Sequence, residues 1–340
     1  MSVQVATERA GSLPWGLVTS DPGLVARART GLAEVEELLL RCAHSDHALI
    51  RESAVHLVEA GGKRFRPLLT VVAAEFGEPS VPQVAVAGCV VELTHLATLY
   101  HDDVMDEATM RRGVPTANAR WDNTIAILTG DYLFAKASML LADLGPEAVR
   151  LQAATFERLV TGQINECIEP GPDESAIDHY LKVLEDKTGS LIATSLRFGA
   201  LLSGASPTVV EQLTRFGETF GVAFQLVDDI IDIAGEAEQS GKLPGTDLRE
   251  GVPTLPTLYA LASTDPESAR LRELLSAPIE EDELVLEALD RLRAHAAMDQ
   301  ARVTARRYAE EARTMLEGLP DIPARDALHA LCELVYSRTV

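Results

Sequence analysis

Two short acidic clusters share one spelling. His101-Asp102-Asp103-Val104-Met105-Asp106 contains Asp-Asp-x-x-Asp, and Asp228-Asp229-Ile230-Ile231-Asp232 repeats it. On a helix, positions i and i+4 differ by about 40° around the axis and ~6 Å along it. Asp102 and Asp106 therefore share a face, as do Asp228 and Asp232. Like charges at that spacing destabilise a helix by roughly 0.2–0.5 kcal/mol a pair. Both clusters end apolar stretches, so a bound cation is the expected compensation. Carboxylate oxygens suit a hard cation, and Mg²⁺ keeps waters while taking one or two carboxylates plus phosphate oxygens. Two acidic rims facing each other would hold several such ions and, through them, a diphosphate. A calcium loop of the EF-hand kind is excluded, because its glycine and terminal glutamate are missing. Glu92-Leu93-Thr94-His95 has the Glu-x-x-His spacing of di-iron bundles, but that chemistry needs two copies and the chain has one.

Two basic clusters complement the acids: Gly61-Gly62-Lys63-Arg64-Phe65-Arg66-Pro67 and Arg111-Arg112. The net charge is -22, a field that argues against nucleic acid or an anionic membrane as partner. Cationic residues gathered beside glycines, or just after an acidic run, mark a place that receives anions. The four cysteines are scattered without a Cys-x-x-Cys pair, so reduced thiols and a cytoplasmic location are expected. No signal peptide is evident, and apolar runs such as Val84–Val91 fall short of the ~18 residues that would span a bilayer.

The elements that position these groups read as helices. Apolar residues recur at three- and four-residue spacing in Leu24–Cys42, His47–Ala60, Pro67–Phe76, Val81–His101, Thr124–Leu144, Pro146–Ile168, Ser175–Leu202, Pro207–Ile233, Pro253–Ala262, Glu281–Ala297 and Asp299–Leu316. Gly61 stands where a C-terminal cap is expected, and Pro67 and Pro207 stand where helices open. Alternating strand patterns and Asn-Gly or Asp-Gly hairpin signals are missing. The expectation is an all-α fold: a flexible tail over residues 1–20, then one large helical domain over 21–340.

Taken in order, these motifs resemble those of the trans-type isoprenyl diphosphate synthases, the polyprenyl synthetase family. The resemblance runs from about residue 24 to 340. It rests on the Gly61–Pro67 element, His95 through Gly113, Gly130-Asp131-Tyr132-Leu133, Lys187-Thr188-Gly189-Ser190-Leu191, Phe224–Asp229 and Gly241-Lys242 through Pro256. It implies helices around a deep central pocket, a homodimer, and a condensation of isopentenyl diphosphate with an allylic diphosphate. It also implies that Asp102, Asp103, Asp106, Asp228, Asp229 and Asp232 hold Mg²⁺, three ions per site, on the allylic diphosphate. Arg111, Lys187, Thr188, Gln225 and Lys242 would contact that substrate. Lys63, Arg66, His95 and Arg112 would bind isopentenyl diphosphate, with Gly62 admitting the backbone. One departure is Val252, where many members carry a lysine, and it puts allylic affinity in question.

Product length should follow from the helix behind Asp102. Ala97 and Thr98 lie about one turn deeper and are small, where short-chain relatives place a bulky floor. Leu93 and Thr94 come next, and Met139, Leu140 or Leu141 would close the bottom. The expected product is a medium to long chain of roughly C30–C50, with geranylgeranyl (C20) diphosphate as the alternative. A terpene cyclase is disfavoured by the second full cluster and the Lys63/Arg66 pair. An inactive subunit of a two-component synthase is disfavoured because both clusters are intact.

Overall fold

The computed structural model describes residues 19, 21–235 and 245–337. The expected tail over 1–20, residue 19 apart, and the expected ligand Lys242 lie outside these residues. The chain is helical, as its periodicity requires, and the strands among the described residues form a single two-stranded ribbon. Its contacts divide it into two compact units. One is drawn from Met1–Thr155, Leu191–Thr214 and Gly318–Ala330, the other from Phe156–Ser190, Arg215–Glu317 and Leu331–Val340.

The first unit is built on α1 (Pro22–Ala43), α2 (Ala48–Glu59), α3 (Phe65–Ala74) and α4 (Pro82–Met105). Asp21 caps α1 by accepting from the Gly23 amide at 2.8 Å. Helix α4 is apolar on all sides, and from Val84 to Ala97 almost every side chain is buried. That makes it the central helix of the unit. After it come β1 (Met110–Arg111), β2 (Val114–Pro115), α5 (Ala117–Arg120) and α6 (Asn123–Leu144). By length and composition both α4 and α6 could cross a membrane, which the apolar runs alone did not suggest. In α4 that window is 72% buried, the signature of a core helix, but in α6 only 33% is. Ile127, Leu128 and Met139 of α6 are exposed.

The β1–β2 ribbon was not anticipated. Its two-residue loop is Arg112-Gly113, with φ of 52° and 78°. A tight hairpin needs positive φ at both central residues. Arginine is a poor occupant, so the usual Asn-Gly or Asp-Gly signal is absent.

The second unit takes its residues from α7 (Pro146–Glu166), α8 (Ala176–Leu184), a π turn (Glu185–Gly189), α9 (Ser190–Leu202) and α10 (Pro207–Ala234), each in part or whole. Then follow α11 (Thr246–Glu250), α12 (Leu255–Ala262), α13 (Ala269–Leu274), α14 (Asp282–Ala294), α15 (Ala296–Met315) and α16 (Pro323–Ser337). The π turn interrupts what periodicity reads as one helix over Ser175–Leu202. The last helix had not been read from the sequence.

Candidate active site

In the first unit the acidic cluster sits where α4 ends. Asp102 is half-buried, Asp103 fully buried and Asp106 exposed as the cap residue. Asp103 turns inward: its Oδ1 accepts from Arg111 Nε, and its Oδ2 is buried with no hydrogen-bond partner among the described residues. Burial raises its pKa, and the Arg111 guanidinium opposes the shift. The Asn118 amide donates to the carbonyls of Asp103 (3.1 Å) and Ala108 (3.0 Å), fixing the turn that follows the cluster.

The hairpin aims two guanidinium groups into the same unit. Arg111 takes Asp103, while Arg112 Nη1 donates to the carbonyls of Leu57 (3.1 Å) and Gly61. A Cβ at Gly62 would lie 2.9 Å from Arg112 Nη1, so this glycine makes room for the arginine. Its expected role was to admit a ligand. His95 is held well below its usual pKa, first by burial and then by Arg66, Arg112, Arg111 and Arg64, so the ring is neutral at pH 7. Arg66 is lowered to about 10, chiefly by burial with help from Arg112, and its Nε has no partner among the described residues. Lys63 is exposed. Half-buried cations crowded around a neutral histidine are costly alone and favourable around an anion.

Arg64 plays a different part, which its place in the basic run hid. Its Nε and Nη2 bind Glu36 of α1 at 2.7 and 2.9 Å, and its Nη1 binds buried Glu92 of α4 at 3.0 Å. Its backbone is left-handed, with φ 47°. This bridge fixes the loop that carries Gly62 and Lys63. Glu92 is thereby engaged in an ion pair, as its side chain needs when buried.

Behind the cluster, Leu93 and Ala97 are fully buried and Thr98 is half-buried, its hydroxyl bonded to the His95 carbonyl at 2.8 Å. Buried Thr94 accepts from Gln152 Nε2 at 2.7 Å, and Gln152 Oε1 has no partner among the described residues. Met139, expected at the pocket floor, has its side chain 66% exposed. It lies on the outer face of α6, away from the buried positions Leu133, Ala137 and Leu141. Among the described residues it is therefore not packed into the buried face of α6. His101 contacts α6, bonding the Ile127 carbonyl at 3.0 Å.

In the second unit the cluster occupies the last turns of α10. Asp229 is buried: Tyr180 donates to its Oδ2, and Gln225 Nε2 donates to its Oδ1 at 2.9 Å. Thr188 in turn donates to Gln225 Oε1 at 3.2 Å, so three expected residues form one chain. Burial raises Asp229 to about 6 against these hydrogen bonds. Asp228 and Asp232 are half-buried. Lys187 Nζ binds Glu166 Oε2 at 2.5 Å. Asp247 is pushed up to about 8 by burial and then by Asp229, Asp232, Glu250 and Glu166. Val252 donates its amide to the Asp247 carbonyl at 2.9 Å. Glu166, Tyr180 and Asp247 were not read from the sequence, because each stands apart from the clusters and joins Asp229 or Lys187 only through folding.

These donor sets fit a hard divalent cation. They are oxygen-only, the second is rich enough in carboxylates to resist ionising fully, and Asp103 leaves one oxygen unused. Among the described residues no three ligand side chains converge into a finished cage. That suits an ion that keeps waters and completes its shell with phosphate oxygens.

Comparison with known proteins gives concordant results. The family model for polyprenyl synthetase matches residues 47–292. Nonaprenyl diphosphate synthase of Mycobacterium tuberculosis is 52% identical over 324 residues, covering 95% of this chain and 97% of the relative. Dimethylallyltranstransferase of the same organism is 44% identical over 318 residues, covering 93% and 97%. A crystal structure of geranylgeranyl pyrophosphate synthase from Corynebacterium glutamicum, complexed with calcium and isoprenyl diphosphate, superposes with TM-score 0.85 at 45% identity. It covers 94% of this chain and 99% of that one. With two thirds of its length inside the family model and a relative identical at more than half of the aligned positions, this chain belongs to the polyprenyl synthetase family.

Proposed function

We propose that the chain condenses isopentenyl diphosphate with an allylic diphosphate to give an all-trans polyprenyl diphosphate, of roughly C30–C50 on the small residues behind Asp102. The observation that carries this reading is Asp103, a buried carboxylate with one oxygen on Arg111 and the other unused. Such a group asks for a cation, and the arginine beside it asks for an anion.

Ionising the allylic C–O bond gathers negative charge on the departing diphosphate. Arg111 and Lys187 supply cationic donors for that charge. Thr188, Gln225 and Lys242 would orient the same group. Magnesium, when bound, would neutralise the diphosphate and activate it as a leaving group. Asp102, Asp103, Asp106, Asp228, Asp229 and Asp232 would hold it, with three ions as the proposed number. Lys63, Arg66 and Arg112 would hold the diphosphate of isopentenyl diphosphate, and neutral His95 can donate one N–H there. The buried apolar wall of α4 excludes water from the allylic cation. The isopentenyl double bond then attacks that cation, a carbon–carbon bond forms, and the proton lost from the resulting cation passes to the released diphosphate.

The relative at 52% identity makes a nonaprenyl product, which favours the longer range. The C20 reading is favoured by the geranylgeranyl synthase at 45% identity. The proposed assembly is a homodimer, in which a second copy covers Ile127, Leu128 and Met139 of α6. The free cysteines suit the reducing cytoplasm, the proposed location. The test is incubation with Mg²⁺, labelled isopentenyl diphosphate and, separately, geranyl, farnesyl and geranylgeranyl diphosphates. A ladder ending at C30 or beyond supports the reading. A stop at C20 keeps the reaction and removes the long product. No incorporation by folded protein rejects it.

A further inference from the structure

Between α8 and α9 the helix widens. Glu185–Gly189 form a π turn, in which the Ser190 amide bonds the Glu185 carbonyl. Such turns are rare and sit mostly at functional sites. Nothing in Glu-Asp-Lys-Thr-Gly favours one locally, so tertiary contacts must hold it.

Those contacts centre on Arg158 of α7. Its Nε donates to Asp186 Oδ1 at 2.9 Å, and its Nη1 and Nη2 bind the two oxygens of Glu218 on α10 at 2.6 and 2.9 Å. The fork-on-fork pairing fixes direction as well as charge. Asp186 is buried and also receives Lys182 Nζ at 3.3 Å. Two glycines bring backbone into direct contact. A Cβ at Gly162, one turn beyond Arg158, would lie 2.8 Å from the Lys187 nitrogen, and one at Gly189 would lie 3.1 Å from the Glu218 carbonyl oxygen. The turn is thus pressed against α7 and α10 and pinned to both by a single guanidinium. The two residues after Asp186 are Lys187 and Thr188, which bond Glu166 and Gln225.

We propose that Arg158, acting through Asp186 and Glu218, is a positioning residue for the condensation: it holds the π turn so that Lys187 and Thr188 reach the allylic diphosphate. This rests on the reading of Lys187 as a diphosphate ligand.

The test is steady-state kinetics of Arg158→Met, Arg158→Lys, Glu218→Gln, Lys187→Ala and the double variant Arg158→Met/Lys187→Ala, each checked for folding by circular dichroism. Arg158→Met should raise KM for the allylic substrate about tenfold or more while KM for isopentenyl diphosphate stays within about twofold. Arg158→Lys should recover part of the loss. The double variant should fall well short of the product of the two single losses, because Arg158 acts in part through Lys187 and what remains is its effect on Thr188. Should Arg158→Met not fold, the milder Glu218→Gln must show the same split. If Lys187→Ala raises the allylic KM and neither Arg158→Met nor Glu218→Gln does, the positioning role is wrong and the ligand reading stands. Equal rises in both KM values, or losses that multiply in the double variant, overturn it as well. An unchanged allylic KM in Lys187→Ala rejects the ligand reading, and the positioning role with it.

Discussion

The buried carboxyl of Asp103 and the neutral ring of His95 are opposite electrostatic preparations in one unit. Asp103 has one buried oxygen without a hydrogen-bond partner among the described residues, the one proposed to meet a cation, and changing it to asparagine removes charge while nearly preserving shape. Asp103→Asn should lower kcat by about 10²–10³, the loss typical of one transition-state contact, with little change in the circular dichroism spectrum. His95 reports the other preparation. Its folded pKa lies below the ordinary 6.5 of histidine, so its share of stability is present above that pH and lost as pH falls. A bound diphosphate places negative charge beside the ring and should raise that pKa, as followed by the ring proton shift in an NMR titration. No movement on adding isopentenyl diphosphate would remove His95 from that subsite. The acidic clusters were legible because the residues that act together are neighbours in sequence. Tyr180, Glu166 and Asp247 were not, since each meets Asp229 or Lys187 from another segment. Arg64 was illegible for the opposite reason: it sits within the basic run yet turns inward to Glu36 and Glu92.

Helix α4 carries the carboxylates proposed to hold a cation at its end, His95 two turns back, and small residues between. Ala97→Phe or Thr98→Tyr puts a large side chain about one turn behind Asp102. Either should shorten the longest product by several isoprene units while leaving the first condensation within about threefold, as read by chromatography after dephosphorylation. Products of unchanged length would show that this stretch does not set the limit. Met139→Ala should leave the ladder unaltered if chain length is decided within one subunit, since that side chain is exposed. The helices themselves were readable, because an apolar stripe at helical spacing is what burial demands. The ribbon and the π turn were not. The Arg112-Gly113 loop trades a good turn residue for an arginine that bonds the Leu57 and Gly61 carbonyls, and the π turn depends on Arg158, a residue far from it in sequence.

For the molecule as a whole the dominant fact is a charge of -22 around carboxylates that must sit close together. Asp229, at about 6, and Asp247, at about 8, lie above the ordinary 3.8 of an aspartate. Between those limits the folded chain binds more protons than the unfolded one. Their stabilising share is therefore full below pH 4 and is lost as pH rises through 6 and then 8. Added Mg²⁺ should oppose that loss. A melting temperature measured from pH 5 to 9 should separate with and without magnesium, most widely at the alkaline end. Curves that stay parallel would mean the metal does not bind at these carboxylates.

The π turn has a genetic reading as well. A helix that widens for one turn carries one residue more than a regular helix of the same rise. Deleting a single codon between 185 and 189 would let α8 and α9 merge into an ordinary helix with both flanks kept in register, so the loss would fall on the side chains of the turn itself. Such a frame-preserving deletion should leave a chain that is helical and well expressed yet unable to turn over. Insertions and deletions elsewhere in loops should be tolerated far better. The most damaging loss in this region would thus be the one that makes its secondary structure more regular.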